Sequence, residues 1–135
     1  MELLVNIDVP ELAAAERFYV EAFGLTPSRR FGENDGVELT GWPAPVYLLV
    51  KPAGTVGAGG DVRRYARHWS PVHLDVVVDD LEAALARAVA AGAVAETQIR
   101  TASWGRIVTV ADPFGHGICL LQFQNRGYDE ITTPA

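Results

Sequence analysis

A chain of 135 residues that is 49% apolar and 21% charged, with mean hydropathy +0.11, is long enough to bury a core and too apolar to be disordered. Seventeen acidic against eleven basic side chains give a formal charge of −6, which argues against a nucleic-acid partner, since phosphate binding needs clustered Lys and Arg. No apolar run approaches the roughly 20 residues of a membrane helix, so no membrane association is expected. The single cysteine, Cys119, excludes an intrachain disulfide and fits a reducing compartment, so the expected setting is the cytoplasm.

Glu2 to Asp8 reads as a strand, and Pro10 stands where the first turn of a helix needs no N–H. The helix follows from Glu11 to Phe23, with Leu12, Ala15, Phe18, Tyr19, Ala22 and Phe23 on one side and Gly24 as its stop. Leu25 to Phe31 reads as a second strand, and Gly32 to Gly36 is a dense turn signal. Val37 to Gly41 is a third strand, Trp42 to Pro45 breaks it, and Val46 to Val50 is a fourth. Pro52 to Gly60 is small, Gly-rich and expected to be mobile, and Arg63, Arg64 and Arg67 behind it read as a solvated linker or an anion contact.

Val72 to Val78 alternates as a strand, Asp79 or Asp80 caps a helix, and Leu81, Ala84, Leu85, Ala88 and Val89 recur at helical spacing up to Gly92. Val94 to Arg100 and Gly105 to Ala111 read as strands, Asp112 to Gly117 as a tight turn, and Ile118 to Phe123 as the last strand. The tail from Gln124 is polar. The second half thus repeats the first. Val9-Pro-Glu-Leu answers Val78-Asp-Asp-Leu at a distance of 69 residues, Gly24 answers Gly92 at 68, and Val46 answers Ile118 at 72. The fold class is α+β, with two tandem βαβββ modules. Module one covers 1–51, a linker 52–70 and module two 71–124 within one domain of 1–124, and 125–135 forms a C-terminal tail. One helix covers only one face of each sheet, so two copies side by side can curl into a cup with the helices outside.

Val9-Pro-Glu-Leu, Phe18-Tyr19, Phe23-Gly24-Leu25, Val78-Asp-Asp-Leu, Ala90-Ala91-Gly92 and Asp112-Pro-Phe-Gly, in this order, resemble the vicinal oxygen chelate superfamily. That superfamily comprises glyoxalase I, extradiol dioxygenases, and fosfomycin- and bleomycin-resistance proteins. The resemblance implies a curved mixed sheet and, in the enzymes, a divalent metal ligated by His, Gln or Glu from the first and last strands of each module. The matching positions here are Leu4, Tyr47, His73 and Cys119. Leu4 has no donor and neutral tyrosine is a weak ligand, so no metal and no other cofactor is expected. Asp75 lies on the same strand face as His73 and could add a third donor, but adjacency alone does not make the two a tight acid–base pair, since residues i and i+2 sit about 7 Å apart at the backbone.

Cys119 beside His73 offers a thiolate pair, against the plainer reading of a small buried hydrophobe. His116 in the Asp-Pro-Phe-Gly-His turn reads as structural. Thr101 to Arg106, containing Trp104-Gly105, resembles the groove-lining segment of bleomycin-resistance proteins, which sequester their drug as homodimers. The expected function is therefore binding of a small organic ligand in the cup, by a homodimer, through Asn6, Tyr47, His73, Asp75, Trp104 and Cys119. A metalloenzyme with nonstandard ligands is the alternative, and no catalytic residue is assigned.

Overall fold

Pairing with a later strand decides where the first strand begins. In the computed structural model, which describes all 135 residues, β1 (Val5–Val9) runs parallel to β4 (Val46–Val50), with Asn6 opposite Tyr47. The ladder ends where Val5 N–H donates to Pro45 O at 3.1 Å, so the alternation from Glu2 to Leu4 has no partner strand to pair with. Between them, α1 (Leu12–Phe23) opens on Glu11, whose carboxylate accepts from Ala13 N and Ala14 N at 2.9 and 2.7 Å. It closes on Gly24 in the left-handed region (φ 68°). Leu12, Ala15, Phe18, Tyr19 and Ala22 are buried.

β2 (Thr26–Phe31) and β3 (Gly36–Thr40) complete an open sheet in the order β1-β4-β3-β2. Its helix side buries Ile7, Val9, Val37, Leu39, Val46 and Leu48, each removing roughly 1.5–3 kcal/mol worth of apolar surface from water. Period 2 therefore sends Asn6, Asp8, Glu38, Tyr47 and Leu49 to the opposite face. The Gly-rich stretch behind β4 doubles back on itself: Gly54 N–H donates to Arg63 O, Arg63 N–H to Thr55 O and Gly57 N–H to Asp61 O, at 2.8 to 2.9 Å. Arg63 reaches Asp8 in an ion pair of 2.7 Å, so this arginine serves the protein's own carboxylate.

The chain falls into two compact units, Met1–Ala66 and Arg67–Ala135. The second repeats the plan. β5 (Leu74–Val77) runs parallel to β9 (Gly117–Phe123), and α2 (Leu81–Ala90) starts on Asp80, whose carboxylate accepts from Ala83 N at 2.9 Å. The helix buries Leu81, Ala84 and Ala88, while Val89 at its flank stays exposed. β8 (Gly105–Ala111) lies beside β9.

The single strand expected over Val94 to Arg100 is two pieces, β6 (Val94–Ala95) and β7 (Arg100–Ala102), both on β8. Between Ala95↔Val110 and Arg100↔Ile107, four residues on one side face two on the other, so two residues loop out. The Thr97 hydroxyl takes over there, accepting from Thr109 N at 3.0 Å. The sheet order is β5-β9-β8-β6, and Val108, Val110, Ile118 and Leu120 fill its helix side. The architecture is α+β, and no helix is long and apolar enough to cross a membrane.

Candidate functional site

Each unit carries a short polar row on the sheet face turned away from its helix. In the first, the register sets Asn6 opposite Tyr47 and Tyr47 opposite Glu38. Glu38 stands between Val37 and Leu39 in an interior strand and is only 5% exposed. A buried carboxylate is costly unless its oxygens are satisfied, and here they are. Tyr47 O–H donates to Oε2 at 2.5 Å, Arg29 Nε lies 3.1 Å from both oxygens, and a second Arg29 nitrogen closes an ion pair on Oε2. That nitrogen also donates to Tyr47 Oη at 3.2 Å.

Arg29 holds the Glu38 carboxyl down to about 2, with help from Tyr47, and the same carboxylate pushes the Tyr47 hydroxyl above its ordinary value. A folded-state value below the ordinary 4.5 means that Glu38 stabilises the fold above that pH and loses its contribution as pH falls toward 2. A carboxyl-carbon NMR titration should accordingly find Glu38 still ionised at about pH 3. Arg29→Met should move its titration upward, and Glu38→Gln should flatten the acid limb of the urea-unfolding profile in that window. A Glu38 that titrates like an exposed glutamate would remove this account.

In the second unit the same lattice positions hold different chemistry. Asp75 is opposite Cys119 and Cys119 opposite Thr109, as Asn6, Tyr47 and Glu38 are in the first. His73 stands just before β5 on the Asp75 face, and its Nε2 lies 3.2 Å from Asp75 Oδ1. The backbone spacing that argued against a tight pair is overcome because both side chains lean toward each other along the strand. Trp69 covers the imidazole with ring centroids 4.7 Å apart, and the Arg67 guanidinium, itself paired with Glu96, sits 5.7 Å from the Trp69 ring centroid. One donor atom each from His73, Asp75 and Cys119 fall within 4.8 Å of one another.

Cys119 is 4% exposed, and its sulfur lies 3.7 Å from Thr109 Oγ1. Burial pushes its thiol up and the Asp75 charge adds to this, opposed by the Thr109 contact. That is the reverse of what an activated nucleophile needs. The four family metal positions do not fit the family's metal. Leu4 presents hydrocarbon, and the Tyr47 hydroxyl is committed to Glu38 and Arg29. Trp104 belongs to another cluster, against Tyr128 of the tail at 5.2 Å and Phe123 at 6.4 Å. His116 is structural, its Nδ1 held 2.7 Å from Asp112 Oδ2.

Sequence reasoning missed Glu38, Arg29 and Thr109. Within Val37-Glu-Leu-Thr40, a lone charge on a strand reads as an ordinary solvent-facing residue. The signal lay in the repeat, which places Glu38 71 residues before Thr109 and beside the Tyr47 that answers Cys119.

The model of the glyoxalase-like domain family matches residues 4–121. An uncharacterized protein of Mycobacterium bovis is 34% identical over 126 residues, spanning 82% of this chain and 76% of its own length. Among solved structures, TioX of Micromonospora sp. ML1 superposes with a TM-score of 0.70 at 21% identity, over 92% of this chain and 99% of that one. A glyoxalase/bleomycin resistance protein/dioxygenase family enzyme of Burkholderia phytofirmans gives 0.69 at 14% identity, over 90% and 97%. Two βαβββ units with the polar rows on the faces away from their helices, read with these matches, identify the chain as a member of the glyoxalase-like domain family, within the vicinal oxygen chelate superfamily.

Proposed function

We propose that this chain binds a small organic ligand against the polar rows of its sheets, as a binding protein of the glyoxalase/bleomycin-resistance kind that does not use the two-module metal of the enzymes. Glu38 is the observation that carries this reading. Exchanging a buried ion pair as a whole for well-packed apolar groups is often neutral or stabilising, so a fold has no general need of a carboxylate in the middle of a strand such as β3. The carboxylate instead fixes Arg29 and Tyr47, and Arg29 remains 71% exposed. A guanidinium edge, a phenol and the Asn6 amide then stand on one face beside apolar Leu49, the mixture by which small-molecule sites orient a ligand. A homodimer, as the resemblance implies, belongs to the same proposal.

Calorimetric titration of tag-free, EDTA-treated protein tests it, first with metal-free bleomycin and then with a panel of polar aromatic and cationic small molecules. Saturable binding is expected for at least one. Tyr47→Phe and Glu38→Gln should each weaken it about tenfold or more, the worth of one hydrogen bond to a charged group. The unfolding midpoint of Tyr47→Phe should stay near that of the parent, while Glu38→Gln should lower it by the stability that the ionised carboxylate contributes, so Tyr47→Phe is the variant that separates lost binding from lost folding. A panel without a binder, or affinities indifferent to both substitutions, would overturn the proposal.

A further inference from the structure

The donor trio of the second unit goes beyond an organic-ligand site. We infer that His73, Asp75 and Cys119 form a binding site for a zinc-like divalent ion within the second unit alone. It is a different set from the four-position pattern of the enzymes. It takes nothing from Leu4 or Tyr47, and it includes Asp75, which lies outside that pattern.

The geometry follows from strand register. Asp75 and Cys119 are cross-strand partners in a parallel pair, so their side chains leave the sheet side by side. His73 lies two residues before Asp75 on the same face. One nitrogen, one oxygen and one sulfur therefore converge from one direction, all within 4.8 Å, with the nitrogen and oxygen already 3.2 Å apart. Metal–ligand bonds of about 2.0–2.3 Å in a tetrahedron separate ligand atoms by roughly 3.3–3.8 Å. The exposed His73 and Asp75 side chains have the freedom to close the remaining gap by small rotations.

The donors also select the ion. Thiolate with imidazole suits zinc over magnesium or calcium, which prefer all-oxygen sets. A thiolate and a carboxylate together balance the charge of a divalent ion. Thr109 Oγ1 is placed to hold the sulfur, and Trp69 packs beside the imidazole, outer contacts of the kind that support metal ligands. Cys119 forms the floor, while His73 and Asp75 are about one-third exposed, at 34% and 37%. The fourth position therefore faces outward, open to water or to a heteroatom of an organic ligand.

Cobalt(II) tests this, because its spectrum reports sulfur ligation directly. Full-length, tag-free protein kept reduced and stripped of metal should take up one cobalt ion per chain with a near-ultraviolet thiolate-to-cobalt band, and zinc should displace it. Cys119→Ser should abolish the band, and His73→Ala and Asp75→Asn should each weaken cobalt affinity about tenfold or more. Saturating zinc should raise the parent's unfolding midpoint by several degrees. The midpoint of each metal-free variant checks folding, and His73→Ala and Asp75→Asn, at exposed positions, should sit near the parent. Absence of a band in the parent, or a band that survives both His73→Ala and Asp75→Asn, would overturn the site. Because the readout is the metal alone, its failure would leave the Glu38-centred organic-ligand site standing, and the reverse holds too.

Discussion

Replacing Asp112 with alanine should cost the protein about 3–5 kcal/mol, the loss of buried hydrogen bonds that nothing else in the turn can supply. The Asp112 side chain has no exposed surface. Its Oδ1 accepts from Phe114 N at 2.8 Å and His116 N at 2.9 Å, and its Oδ2 meets His116 Nδ1 at 2.7 Å. The backbone closes the same turn, with Asp112 N–H donating to His116 O at 2.8 Å and Gly115 in the left-handed region at φ 90°. Alanine would strand two N–H groups where water reaches them poorly. A midpoint lowered by about 10–20 °C is expected, and a smaller drop for Asp112→Asn, which keeps the Oδ1 acceptor. An Asp112→Ala variant as stable as the parent would show that the turn is held by its backbone alone. The Asp-Pro-Phe-Gly motif is on this account the clamp that returns the chain from β8 to β9 and so sets Cys119 in register.

Gly105→Ala should be comparably damaging for a different reason. Gly105 begins β8 at φ 155°, and a Cβ there would stand 2.4 Å from Gln122 O and 3.1 Å from Phe123 Cα. Both obstacles are backbone of the neighbouring strand, so neither can swing aside. Overpacking combined with a strained dihedral costs about 3–5 kcal/mol. Urea unfolding should show the loss as a lower midpoint at an unchanged slope. Gly54→Ala is the instructive contrast: it also has a positive φ, of 83°, but its Cβ would meet nothing within 4 Å. It should lose only the dihedral part. Equal losses at the two positions would refute the steric explanation.

How far the sequence speaks depends on whether a feature is local. The buried side of α1 was legible residue by residue from Leu12 to Ala22, because helical spacing is a property of the segment itself. β4 was legible from Val46 to Val50, fenced by Pro45 and Pro52. The polar rows were legible in part. Alternation put Asn6, Tyr47, Asp75 and Cys119 on the faces away from the helices, and the register bears that out. Glu38 stayed hidden because its burial depends on which strand lies beside it and on an arginine nine residues earlier, and register is not written in a single strand. The same holds for His73 and Asp75, whose approach is decided by side-chain rotamers rather than by spacing. The break between Ala95 and Arg100 was invisible because a hydroxyl, Thr97, replaces a backbone group in the ladder.

In both units the strand made first pairs with the strand made last, and this sets the order in which a growing chain can close its sheets. β1 can pair with β4 as soon as Val50 has left the ribosome, before any of β5 has emerged. β5 must wait through the helix, the divided strand and β8 until Gly117 to Phe123 emerges, with its inner edge bare the whole time. Nascent chains arrested short of Gly117 should therefore expose one ready-made sheet edge and stick to one another, whereas chains released after Phe123 should not. Cys119 arrives within that final strand, so the trio it completes does not exist until nearly the whole second unit has been translated.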